Sequence, residues 1–171
     1  EYELFVIVKR TINGATTRYV EFLNTFDFTQ TDNTTFNFLD SQLGLTQSKT
    51  TLTAGINTTA TTVPVASVAG FVSAGKIKIG GEIIAYTGIT NLNLTGCTRG
   101  SDSSTAKAHI SKSITKQVVN GISSLSHLVG QTVSILADGA THPTKVVAAN
   151  GTIALDRFAT DVKVGLSYTS I

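Results

Sequence analysis

The 171-residue chain contains no methionine, no tryptophan and a single cysteine, Cys97. One cysteine cannot form an internal disulfide, so packing and backbone hydrogen bonds must stabilise the fold. Charged residues make up only 14% of the sequence and hydrophobic residues 41%, a composition that excludes a disordered chain and a coiled coil. The longest apolar runs, such as residues 4–8, are far shorter than the ~20 residues of a membrane-spanning helix. We therefore expect no membrane span.

The missing methionine also bears on the origin of the chain. Translation begins with methionine, whereas this sequence opens at Glu1. We expect either a processed product or a piece cut from a longer polypeptide, and we favour the piece.

Threonine is abundant, with 28 residues, and it accompanies short β-branched and aromatic stretches. These residue types favour strands. In the last third of the chain the stretches recur about every ten to twelve residues with Gly-containing turns between them, which is the spacing of a sandwich or small barrel. Residues 123–129 look helical for one or two turns. The sequence thus predicts an all-β fold.

The first hairpin is marked by its turn. Residues 2–9 are β-branched and aromatic, Asn13-Gly14 supplies the two positive-φ residues of a tight turn, and residues 16–23 return as the partner strand. Further along, aromatic residues two positions apart place each pair on one strand face, where we expect them to point into a core. They are Phe26, Phe28, Phe36 and Phe38.

A second hairpin is predicted around Gly80-Gly81, which separates residues 76–79 from residues 82–87. In its first strand, Ile77 and Ile79 alternate with lysines that we expect to face water. Residues 63–65 read as an edge strand, because Pro64 would lose no ladder hydrogen bond there.

The residue composition and the charge balance change near residues 45 and 115. Residues 46–114 carry six basic and two acidic residues, whereas the remainder carries seven basic and nine acidic ones. We predict an inserted small β domain, 46–114, within a discontinuous β-sandwich or small barrel frame made of 1–45 and 115–171. A basic insert is compatible with a surface for a polyanion, but six bases over this length favour a simple solvated surface.

Catalytic and metal-binding patterns are not evident in the sequence. His109, His127 and His142 are far from one another and from Cys97, so the spacing indicates no metal site. His109 and His127 each sit beside an apolar residue, which favours half-buried hydrogen bonding, whereas His142 precedes Pro143 in an expected exposed turn. We assign no catalytic residue, no metal ligand and no cofactor.

Cys97 allows two interpretations. Arg99 nearby would depress the pKa of a nucleophilic thiol. A single cysteine without a neighbouring base is more often a small buried apolar residue, and we prefer that interpretation. The eleven carboxylates form no obvious acid-base pair, and no Gly-rich phosphate loop precedes a helix. We therefore predict that the chain is not an enzyme.

The two outer segments resemble a domain of tail proteins from tailed bacteriophages, typified by the nozzle or tubular protein that closes a short tail. The resemblance is carried by residues 9–14, 18–21, 38–41, 121–133, 136–139 and 164–168. In that family the block ending near Asp40-Ser41 commonly leads with little delay into the His127-Leu128 motif. Here residues 46–114 intervene.

The intervening segment resembles a small β module that recurs in phage proteins and has been likened to a β domain of ubiquitin-activating enzymes. The motifs that carry this likeness are residues 75–88, 96–100 and 106–109. The likeness implies shape alone, so Cys97 inherits no enzymatic role from it.

Together the resemblances imply a structural domain of a virion tail protein, one subunit of a ring around the DNA exit channel. The expected partners are other copies of the same protein and neighbouring tail or portal proteins, with weak, non-specific DNA contact at most. The implied location is the virion tail, assembled in the bacterial host cytoplasm. The family offers no catalytic residue to carry over to this sequence.

The alternative is an adhesion module for a host-surface glycan. Loops of the insert would contact sugar through Tyr86, Asn91, Asn93 and Asp102. Sugar-binding faces carry exposed aromatic rings, and a chain without tryptophan and with four tyrosines is poorly equipped for this role. A tail-associated hydrolase is the least favoured reading, because no triad order is recognisable.

Overall fold

The computed structural model describes residues 4–12, 14–23 and 39–167. Within these ranges the protein is nearly all β, with antiparallel sheets and a single 3-10 turn at Ser126–Leu128, which confirms the all-β prediction. In the described ranges, no helix is long and apolar enough to cross a membrane. The predicted aromatic series from Phe26 to Phe38 lies outside the described residues.

Fourteen strands are formed in the described part of the chain. They are β1 (Leu4–Ile12), β2 (Ala15–Leu23), β3 (Leu39–Thr46), β4 (Lys49–Thr51), β5 (Thr62–Pro64), β6 (Gly75–Ile79), β7 (Glu82–Tyr86), β8 (Gly88–Thr90), β9 (Asn93–Thr95), β10 (Ile114–Ile122), β11 (Thr132–Ala137), β12 (Ala140–Val146), β13 (Ile153–Ala159) and β14 (Asp161–Ser167).

The chain divides into two compact units. Unit 1 comprises Glu1–Leu45, Asn120–Arg157 and Asp161–Ile171, and unit 2 comprises Thr46–Val119 and Phe158–Thr160. The first division falls at the predicted position, 45/46. The second falls at 119/120 instead of 114/115, because β10 begins at Ile114 and continues unbroken through the predicted junction.

Unit 1 contains the β1–β2 hairpin and a four-stranded sheet in the order β12-β11-β14-β3. The hairpin is the one predicted from sequence, with Ile12 opposite Ala15 across the turn. Asp138 and Gly139 both have positive φ, 51° and 75°, as the tight turn between β11 and β12 requires. Alternate residues of β11, starting at Val133, are buried, so one face of this sheet packs into the core of unit 1.

Unit 2 contains a sheet in which β4 and β6 flank β10 and β7 follows β6, and a three-stranded sheet in the order β5-β9-β8. The predicted hairpin forms β6 and β7 around Gly80, whose φ of 59° suits glycine. Ile77 and Ile79 are buried, as predicted. Pro64 lies on the edge strand β5, also as predicted.

The core of unit 2 lies between these sheets. Strands and loops contribute buried apolar side chains to one cluster, which consists of Leu52, Ile56, Val63, Val65, Ile77, Ile79, Ile84, Tyr86, Leu94 and Cys97. This continuous cluster gives unit 2 a hydrophobic core of its own.

Candidate functional site

The most organised polar group of unit 2 is built on Glu82, the first residue of β7. Glu82 lies opposite Ile79 and is fully buried, on the same face as Ile84 and Tyr86. The side-chain period of a strand places it there, since residues two apart share a face. A carboxylate at such a position is costly unless it is paired and hydrogen-bonded.

Glu82 is surrounded by hydrogen-bonding groups. Its Oε1 accepts from Arg99 Nε at 2.8 Å and from the Gly100 backbone N–H at 3.0 Å. Its Oε2 accepts from Arg99 Nη2 at 2.8 Å and from the Lys107 N–H at 3.1 Å, and lies 2.7 Å from His109 Nε2. The Arg99 contact is bidentate, the strongest form of this ion pair.

The ionisation of Glu82 follows from these contacts. Burial alone raises the pKa of its carboxyl, but the hydrogen bonds from Arg99, Lys107, His109 and Gly100 outweigh burial and lower the pKa to about 2. Glu82 is therefore ionised throughout the physiological range.

The same cluster connects three loops through hydrogen bonds. Arg99 also donates to the Lys107 carbonyl at 2.6 Å and to the Asn57 carbonyl. The backbone of His109 exchanges two hydrogen bonds with Ile56, at 2.8 and 2.9 Å. The three separate stretches that carry the likeness to the phage β module thus meet at one carboxylate. We call Glu82, Arg99 and His109 with these backbone contacts the Glu82 clamp.

The Glu82 clamp is a structural device. Both carboxylate oxygens are occupied by donors of the chain itself, and the side chains of Glu82 and Arg99 are 0% and 6% exposed. A general acid or base needs an oxygen within reach of a substrate, which this geometry does not offer.

Sequence reasoning did not find the Glu82 clamp. A signal was present, because the predicted hairpin puts Glu82 opposite the inward-facing Ile79. An acidic residue on the inward face of an apolar strand needs a basic partner. The partner itself, Arg99, is 17 residues away and could not be named from the pattern.

Tyr86 does not belong to a ligand-binding surface. The residue is 2% exposed, and its hydroxyl donates to the Val72 carbonyl at 2.9 Å and lies 3.5 Å from Gln117 Oε1. Burial also raises the pKa of Tyr86. The interpretation of Tyr86 as a sugar contact is therefore wrong, because its position on β7 has the same inward parity as Ile84.

The other three candidate surface residues do not form one cluster. Asn91 is exposed in the turn between β8 and β9, with φ 54°. Asn93 begins β9 and is partly exposed. Asp102 is exposed in a loop after the Arg99-Gly100 pair, where its carboxylate binds Lys76 Nζ at 2.7 Å.

Asn93 borders an open cleft of about 500 Å³ in unit 2. The cleft is lined by Gly55, Ile56, Asn57, Thr59, Ala60, Thr61, Thr62, Pro64 and Asn93. Its lining offers amides, hydroxyls and backbone groups and includes no ionisable side chain or aromatic ring. Such a lining can exchange hydrogen bonds with a polar ligand but provides no stacking platform.

Cys97 is buried, at 7% exposure, and its Sγ lies 3.3 Å from the Leu94 carbonyl. Burial raises the pKa of the thiol, and the opposing effect of Arg99 is smaller. A protonated, inaccessible thiol is a poor nucleophile, so the interpretation of Cys97 as a small core residue is confirmed.

The histidines also find structural partners. His109 is in the Glu82 clamp, and His127 Nε2 lies 3.1 Å from the Ser41 carbonyl, as half-buried hydrogen bonding predicts. The expectation for His142 was wrong, since it lies in β12 and is buried. Its Nε2 accepts from the Asp156 N–H at 2.8 Å.

Among the described residues, no three His, Cys, Asp or Glu side chains come together as a metal site would require. The chain matches no protein-family model and none of the curated proteins with which it was compared.

Proposed function

We propose that the chain is a structural domain of a bacteriophage tail protein of the nozzle or tubular type, contributing to a ring around the DNA exit channel. The proposal starts from the resemblance of the outer segments to that family. It also agrees with the Glu82 clamp and Cys97, whose reactive atoms are occupied or buried in the fold.

One contact carries the proposal. His127 Nε2 lies 3.1 Å from the carbonyl oxygen of Ser41, although the two residues are 86 positions apart. In the family, the stretch ending near Ser41 leads almost directly into the motif at His127. The two stretches are thus neighbours in space here despite the long intervening segment, which is what an insertion into a family frame would produce.

The proposal is tested by assembly. The protein encoded by the complete reading frame that contains these 171 residues should form rings visible by negative-stain electron microscopy. The 171 residues alone should be monomeric or weakly associated in light scattering, since obligate interfaces commonly bury ~2,000 Å² or more. A complete protein that stays monomeric, also with its neighbouring gene products, would contradict a ring-forming role.

The glycan-adhesion alternative has less support, because the burial of Tyr86 removes the one aromatic ring assigned to it. The polar cleft beside Asn93 is the feature that remains in its favour. A glycan array is the direct measurement. Micromolar binding of one host glycan, lost in Asn93→Ala, would put adhesion ahead of the tail-ring proposal.

A further inference from the structure

Three lysines form a straight row across unit 2. In the antiparallel register of β10, Lys116 lies directly opposite Lys49 on β4 and directly opposite Lys78 on β6. Directly opposed residues share one face of a sheet, and neighbouring strands are ~4.8 Å apart. The row therefore places the Cα atoms of three lysines on one face within about 10 Å. We call these three residues the lysine row.

The row faces solvent. Lys49 and Lys116 are exposed and Lys78 is partly exposed, whereas the adjacent Thr50, Thr115 and Ile79 are buried on the opposite face. None of the three lysines forms an ion pair with any residue that the structure describes.

Lys76 lies on the same face and, in contrast to the lysine row, has partners for its charge. It lies two residues before Lys78, binds Asp102 at 2.7 Å and has its ammonium 4.4 Å from the centre of the Phe158 ring. Its charge is thus partnered within unit 2. The lysine row has no such acidic residue, so three like charges stand side by side.

Like charges directly opposite each other destabilise a sheet. The arrangement is physically reasonable where an external anion neutralises it. The sequence shows only a moderate excess of basic residues between 46 and 114. The strand register adds that two of those six bases, Lys49 and Lys78, are aligned on one face with Lys116, which lies just outside that segment.

We infer that the lysine row is a contact surface for the phosphodiester backbone of nucleic acid. A DNA duplex carries one negative charge for every ~1.7 Å of its axis, so its backbone offers a regular array of phosphates to a row of lysines. Lysine binds phosphate as a point charge and reads no base, so the contact is independent of sequence.

This inference does not rest on the proposed tail role, because it uses only the register of β4, β10 and β6. The two are tested separately. Ring assembly is a property of the complete protein, whereas DNA contact is measured on the 171 residues.

The experiment is a fluorescence-anisotropy titration with a labelled 20-base-pair duplex at several salt concentrations. Three phosphate contacts predict a slope of log K against log salt of about −2.7, or about 40-fold weaker binding at 200 mM than at 50 mM salt. Two duplexes of unrelated sequence should bind equally. Substitution of Lys49, Lys78 and Lys116 together by Gln should abolish the salt-dependent binding.

A variant with Lys9, Lys107 and Lys163 replaced by Gln is the matched control, because its net charge is the same. It should keep the affinity and the slope of the unaltered protein. Equal loss of binding in both variants would overturn the inference, since net charge alone would explain it. Binding of a polyglutamate peptide more tightly than the duplex, with the same lysine dependence, would also overturn it in favour of an acidic protein partner. The absence of measurable DNA binding at 50 mM salt would also overturn the inference.

Discussion

Thr115 on β10 lies directly opposite Thr50 on β4, and both side chains are buried. The Thr50 hydroxyl accepts a hydrogen bond from the Ser67 N–H at 3.0 Å. The Thr115 hydroxyl is buried and has no hydrogen-bond partner among the described residues. Two identical residues in register therefore differ in whether the buried hydroxyl is satisfied.

This difference predicts opposite effects of the same substitution. Thr115→Val removes an unsatisfied hydroxyl and should leave the free energy of unfolding unchanged or raise it by up to about 1 kcal/mol. Thr50→Val leaves the Ser67 N–H unpaired and should cost about 1–2 kcal/mol. Chemical denaturation measures both. A larger loss for Thr115→Val than for Thr50→Val would contradict the hydrogen-bond assignment.

Among the charged groups of unit 2, we expect the Glu82 clamp to lose the most stability when one of its residues is substituted. Arg99→Ala leaves the carboxylate buried without its main partner, and we expect a loss of about 3 kcal/mol or more in the free energy of unfolding. Arg99→Lys keeps the charge but loses the bidentate contact. Its free energy of unfolding should therefore lie between those of the unaltered protein and Arg99→Ala. Arg18→Ala, at an exposed position of β2, is the control and should change stability by less than about 0.5 kcal/mol. If Arg99→Ala lowers the free energy of unfolding by no more than Arg18→Ala does, the Glu82 clamp does not have this stabilising role.

The low pKa of Glu82 predicts acid sensitivity. The folded carboxyl has a pKa of about 2 against an ordinary value of 4.5. Its contribution is therefore fully present above pH 4.5 and is lost as the pH falls towards 2. Its size is on the order of 3 kcal/mol. Urea denaturation between pH 6 and pH 2 should show this loss, and Glu82→Gln should lack that part of the pH dependence.

The lysine row should carry a stability cost. Lys116 has a like charge on each side, so Lys116→Gln should raise the free energy of unfolding by roughly 0.5 kcal/mol at low salt. The gain should shrink at high salt, because screening weakens the repulsion that is removed. Lys107→Gln, outside the row, is the control. A loss of stability in Lys116→Gln would show that the three charges do not repel one another.

Cys97 should behave as a core residue. Cys97→Ala removes a small buried group, and we expect a loss of about 1 kcal/mol or less. A bulky thiol reagent should label the native protein slowly and the denatured protein fast. Fast labelling under native conditions would instead place the thiol at the surface.

Local features of the fold were predictable from the sequence. The turns at Gly14, Gly80 and Gly139 demand unusual backbone angles, so their residue types mark the hairpins directly. Alternation along β6 then gave the buried face of that strand. The all-β character followed from the same short-range signals.

Features that depend on distant residues were not predictable. Strand parity places Tyr86 on one face of β7, but the cover over that face comes from other strands and loops. Pro143 suggested a turn at His142, whereas β12 is an edge strand and tolerates a residue without an N–H. The Glu82 clamp and the lysine row likewise depend on which strands become neighbours.

The Glu82 clamp fixes both ends of the loop between Gly100 and Lys107, because one carboxylate accepts from the backbone N–H of each. Asp102, Ser103 and Thr105 are exposed in this loop. Within the loop, the Ser101 N–H donates to the Ile83 carbonyl at 2.9 Å and Ser104 Oγ accepts from the Ile83 N–H at 2.9 Å, so the middle of the loop is also held against β7. Ser103 and Thr105 are therefore suitable positions for attaching a label, because their side chains are exposed and a substitution there leaves the contacts of the loop with Glu82 and Ile83 in place.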